Sequence, residues 1–83
     1  MKLFKVWQDE STGYETYSDM VVCADDEEAA RNMHPNDSGL DAYLDIWQYG
    51  GWCTDPKLAH VEYIGEARAD LPQGIICSSY HAG

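Results

Sequence analysis

The sequence predicts an α+β fold: an antiparallel sheet of about four strands in the order β-β-α-(α)-β-β, with one or two helices packed on one face. Three observations lead there. Alternating or β-branched apolar stretches recur towards both ends of the chain. A carboxylate-led segment with helix-start signals lies between them. Turn residues separate these stretches, and no repeat or low-complexity tract interrupts the 83 residues. A chain of this length makes a single domain (1–83) with one small core.

The first strand is "KLFKVWQ" (2–8), which places Phe4 and Val6 on one face and Leu3 and Trp7 on the other. A polar, turn-prone connection around Gly13 follows, and apolar character resumes in "MVVCA" (20–24), so the two strands read as an antiparallel pair. "VVCADDEEAARNMHP" (21–35) then turns strand into helix. Asp25 is the expected N-cap, and Glu28, three residues on, completes a capping box. Asp26 and Glu27 fall in the first turn, where carboxylates favour the positive end of the helix dipole. Ala29, Ala30 and Met33 give a narrow apolar face, Glu27 and Arg31 are spaced to pair, and Pro35 closes the helix.

"NDSG" (36–39) is a turn. Leu40, Tyr43, Leu44 and Trp47 then repeat at helical spacing, predicting a second helix that "GG" at 50 and 51 stops. "WCTDPKLA" (52–59) is a linker whose Trp52 packs down. "HVEYIGEA" (60–67) and "GIICSSY" (74–80) are strands around the Pro/Gly turn "DLPQG", and read as a hairpin.

Charge narrows the function. Fifteen Asp and Glu face five Lys and Arg, for a net charge of −10 and a pI near 4.3. Such a chain should repel nucleic acid and anionic membranes and attract basic protein surfaces. Three cysteines at distant positions, no secretory leader after Met1 and no membrane-length apolar run point to free thiols in a reducing cytoplasm. Neither zinc-site cysteine spacing nor a His-x-x-x-His pair occurs, so no metal or cofactor is expected. Ser79 and His81 would share a face of the last strand, but no nucleophile elbow, phosphate-binding loop or dinucleotide fingerprint accompanies them. The chain is therefore expected not to be an enzyme.

The consecutive carboxylates Asp25, Asp26, Glu27 and Glu28 diverge around a helical turn, unlike the converging ligands of a calcium loop. Their weight is as part of an acidic surface with Asp9, Glu10 and Glu15, and with Asp37, Asp41 and Asp45. Tyr43, Trp47, Tyr49 and Trp52 supply the residue types that dominate protein-binding hot spots. The expected partner-contacting set is Asp9, Glu10, Asp25, Asp26, Glu27, Glu28, Asp41, Asp45, Tyr43, Trp47, Tyr49 and Trp52.

"YETYSD" (14–19), "VVCADDEEAARNMHP", "WCTDP" leading into "VEYIGEA", and the terminal "GIICSSYHAG" together resemble a family of small, uncharacterised tailed-phage and prophage proteins. These carry a Tyr-Asp-Thr-Tyr-Asp stretch, a valine strand, an acidic helix ending in His-Pro, and a Gly-Val-Ile-x-Ala-Ser-Phe-Asn-Ala-Gly terminus. The likeness lapses over residues 36–51, and Ser79-Tyr80-His81 stands where Ser-Phe-Asn is commoner. It implies phage origin and the cytoplasm of a bacterial host, and assigns no catalytic residue. The expected function is a small acidic accessory protein that binds and inhibits a basic host protein. A defence complex of CRISPR type, or another nucleic-acid-handling assembly, is the expected target, through acidic mimicry and aromatic contacts. The alternatives are a phage assembly protein that self-associates through residues 40–52, and a protein that sequesters a small ligand.

Overall fold

The structure, a computed structural model, describes residues 1–13, 16–35 and 51–81, except for the side chain of His81. Its elements are β1 (Lys2–Trp7), β2 (Thr16–Ala24), α1 (Glu27–Arg31), a 3-10 turn (Pro56–Leu58), β3 (His60–Glu66) and β4 (Gly74–His81). The strands form a four-stranded sheet in the order β3-β1-β2-β4, with every neighbouring pair antiparallel. This is the α+β architecture the sequence predicts, with one short helix in the described part. The second helix expected over 40–47 lies outside the described residues.

Alternation sets the two faces of the sheet. Phe4, Val6, Met20, Val22 and Ala24 point to one side, where Ala30 of α1, Trp52, Cys53 and Ala59 close the core over them. Leu3, Lys5, Trp7, Val21 and Cys23 take the other side, which no described helix covers. Cys23 is buried outside the main core: its Sγ lies 3.9 Å from Met1 Sδ.

Three expectations need correction. The N-cap of α1 is Asp26, whose carboxylate accepts from Ala29 N at 2.8 Å, and Asp25 is one residue outside the helix. Two adjacent aspartates offer the same cap chemistry, and β2 runs to Ala24, which shifts the start by one. The helix also ends before the proline can act. Asn32 caps it by donating from Nδ2 to Glu28 O at 2.8 Å.

The third correction is topological. β3 and β4 do not form a hairpin; they lie at opposite edges of the sheet. β3 pairs with β1, where Val61 opposes Val6, the Phe4 and Tyr63 rings meet edge-on at 5.9 Å, and Trp7 stacks on His60 at 5.4 Å. The connection, residues 67–73, passes from one edge to the other. It must cross three inter-strand spacings, about 14 Å, and seven residues can span up to about 23 Å. A Pro/Gly turn of this length is compatible with either topology, so side-chain pairing decides. The register breaks at Ile64, an extra residue between Tyr63 opposite Phe4 and Gly65 opposite Leu3. Gly65 takes φ 156° in this bulge, a conformation that costs glycine little.

Candidate functional site

One of the acidic residues, Glu10, is positioned by a polar side chain that carries no charge. Gln8, at the end of β1, is buried. Its Oε1 accepts from Glu10 N at 2.9 Å and Ser11 N at 2.8 Å, while Nε2 donates to Ser11 O at 2.7 Å and Tyr17 O at 2.9 Å. The amide thus meets four backbone groups that the bend after β1 would otherwise leave unpaired. Glu10 is thereby aimed at the 54–57 loop. Its carboxylate accepts from Thr54 N and Thr54 Oγ1, each at 3.0 Å. The next residue, Asp55, caps the 3-10 turn by accepting from Lys57 N at 2.9 Å.

Asp55 also lines a shallow depression with Glu28, Arg31, Asn32, Pro56 and Lys57. Arg31 sits within it, 3.9 Å from Glu28 Oε2, and its Nε donates to Ala59 O at 3.4 Å. Asp9 and Glu10 leave β1 at the end of the sheet opposite to that where residues 25–28 begin, since β1 and β2 are antiparallel. Six β1 residues put those ends about 20 Å apart. Asp55 bridges the gap. On the helix-bearing side the exposed carboxylates run Glu10, Asp55, Glu28, Glu27, Asp26 and Asp25, with Arg31, Lys57 and Lys2 as the cations among them. Asp9 turns away from this run: its Oδ1 lies 3.8 Å from Nε2 of His60, which stacks on Trp7 on the other face of the sheet.

The residues expected to contact a partner therefore divide. Glu10, Asp25, Asp26, Glu27 and Glu28 lie along one band, whereas Asp9 sits beside His60 on the other face. Asp41, Asp45, Tyr43, Trp47 and Tyr49 fall outside the described residues. Trp52 leaves the set: it is 1% exposed, the largest fully buried side chain among the described residues, packed edge-on to His34 at 6.5 Å. The linker around it follows the core face of the sheet, so its indole fills the core. Asp55 and Gln8 were missed. Asp55 in "TDPK" carries a legible Asp-Pro turn signal, whereas nothing near Gln8 marks it as buried.

The opposite face is chemically plain. Lys5, Asp19, Val21, Ile64, Cys77, Ser78 and Ser79 line an open depression of about 250 Å³, below the ~300–1,000 Å³ usual for small-ligand sites. Among the described residues, no three His, Cys, Asp or Glu side chains converge as a metal site would require, and no helix is long and apolar enough to cross a membrane. No protein-family model matches the chain, and neither does any curated protein or solved structure.

The three thiols are free and differ in character. Cys77 is exposed, whereas Cys23 and Cys53 are buried. Burial, reinforced by the Glu10 and Asp55 carboxylates, pushes the Cys53 thiol from 9.0 up to about 11. The folded state thus holds this proton where the unfolded chain releases it. The associated stability is full below about pH 9 and is lost as pH rises towards 11. Alkylation of the native protein at neutral pH is expected to give a single adduct, on Cys77. Labelling of Cys53 on the same timescale would contradict this placement.

Proposed function

We propose that the chain is a non-enzymatic binding protein that docks its helix-bearing acidic face onto a basic surface of a host protein. The run of exposed carboxylates from Glu10 through Asp55 to residues 25–28 carries this reading. Duplex DNA presents about one charge per 1.7 Å of axis, and a row of exposed carboxylates on a small rigid sheet can occupy a groove built for phosphates. Docking would then exclude nucleic acid from that groove. The likeness to small phage proteins supplies the setting: the cytoplasm of a bacterial host, with a CRISPR-type defence complex or another nucleic-acid-handling assembly as target.

Charge makes the reading testable. Long-range steering and rim contacts between opposite charges weaken as salt shortens the screening length from about 30 Å at 0.01 M to about 8 Å at 0.15 M. The double variant Asp25→Lys/Glu27→Lys reverses two charges and spares both the Asp26 cap and the Glu28 contact with Asn32. A host protein retained at low salt is expected to elute as salt rises, to be displaced by duplex DNA, and to bind the double variant at least ~10-fold more weakly. Retention indifferent to both salt and charge reversal would sink the proposal.

A further inference from the structure

An exposed aromatic ring adjoins the acidic run on the helix-bearing side. Tyr63, on β3, is 50% exposed, yet it is held at both ends. Its hydroxyl donates to Glu66 Oε1 at 2.8 Å, and its ring meets Phe4 edge-on at 5.9 Å. With Lys2, Phe4, Asp26 and Glu27 it lines an open depression of about 250 Å³. That is below the ~300–1,000 Å³ usual for small-ligand sites, and leaves room for one side chain. Lys2, Asp26 and Glu27 are all exposed around it. Among the described residues neither Lys2 nor Glu27 forms an ion pair, and Asp26 commits one oxygen, Oδ1, to the cap of α1.

We propose that this depression receives one arginine side chain of the basic partner, a site that rests on the proposed docking of the acidic face and gives it an aromatic anchor. Tyr63 is the stacking surface, and Asp26 and Glu27 pair with the guanidinium. Charge selects the occupant. Asp26 and Glu27 on the rim and Glu66 on the phenol outnumber the single cation, Lys2. An aliphatic occupant would strip water from these carboxylates without pairing them, and an acidic one would be repelled. An arginine lays its stem and planar guanidinium against the ring while its fork of donors meets the carboxylates. A lysine ammonium has neither the plane nor the fork. The bond to Glu66 and the contact with Phe4 hold the ring in place beforehand, which reduces the ordering that binding must impose.

Two measurements separate failure of this site from failure of docking itself. In the first, N-acetyl-arginine amide is titrated into the isotopically labelled full chain, with no partner present. The Tyr63 ring and Glu27 amide resonances are expected to shift saturably at millimolar probe, whereas N-acetyl-citrulline amide, the uncharged counterpart, leaves them in place. In the second, Tyr63→Leu is expected to bind the retained host protein at least ~10-fold more weakly, as for an interface hot spot. Glu62→Lys, opposite Lys5 on the other face of the sheet, should bind as wild type does. Circular dichroism of each variant verifies folding, and the wild-type titration decides the matter should Tyr63→Leu unfold. If Asp25→Lys/Glu27→Lys weakens binding and a folded Tyr63→Leu does not, docking stands and this site falls. Resonances unmoved by the arginine probe, or moved equally by the citrulline probe, also overturn it. If no salt-sensitive partner is retained, docking fails, and the arginine titration still tests the site by itself.

Discussion

Truncating Trp52 to alanine is expected to cost about 3–5 kcal/mol of folding stability, the range for large aromatics removed from cores. Among the described residues the indole is the largest side chain fully withdrawn from solvent, and it closes the core over Phe4, Val6, Met20 and Val22 together with Cys53 and Ala59. A domain of this size has on the order of 4–12 kcal/mol in total. The variant should therefore lose a quarter or more of its stability and populate unfolded chain at physiological temperature. Urea titration followed by circular dichroism measures the change. A loss below about 1 kcal/mol, typical of surface substitutions, would show that Trp52 is not in the core.

Gln8→Leu is expected to cost about 2–4 kcal/mol even though it makes the position more apolar. The substitution keeps much of the volume but strips partners from Glu10 N, Ser11 N, Ser11 O and Tyr17 O together. Groups that the bend can turn towards water recover part of the loss, which holds the total below the sum of four unpaired groups. The effect should also reach the acidic band, because Gln8 orients the backbone that presents Glu10 to Thr54. The variant is thus expected to lose affinity for a basic partner beyond what its unfolded fraction explains. A Gln8→Leu protein of unchanged urea midpoint would contradict the network's role.

Much of the fold was legible because its strands alternate. β1, β3 and β4 run within a residue of the stretches where apolar and polar positions trade places. β2 begins earlier than its apolar run, since Thr16 to Asp19 are polar yet pair with β4, and Tyr17 lies 4.7 Å from the ring of Tyr80. Local pattern does not record which distant strand pairs with which, so the order β3-β1-β2-β4 replaced a plausible hairpin.

Composition foretold an acidic surface but not its path. Asp9 and Glu10 are remote from residues 25–28 in sequence and begin at the other end of the sheet. Asp55, on a loop read as a mere linker, links Glu10 to residues 25–28, while Asp9 lies beside His60 on the other face. Trp52 shows the converse difficulty: the residue type that dominates binding hot spots is also the type that fills cores. Its neighbours in sequence did not separate the two roles. The burial of Gln8 depends on a bend whose unpaired backbone groups exist only once the chain has folded.

Docking, as proposed, falls on the helix-bearing acidic face. Its sharpest test is the affinity of the retained host protein for wild type, Asp25→Lys/Glu27→Lys and Glu62→Lys, each measured at low and high salt. The account predicts at least a ~10-fold loss for the double variant, little change for Glu62→Lys, and a wild-type affinity that falls as salt rises. Equal losses for both variants, or an affinity that salt leaves untouched, would contradict it.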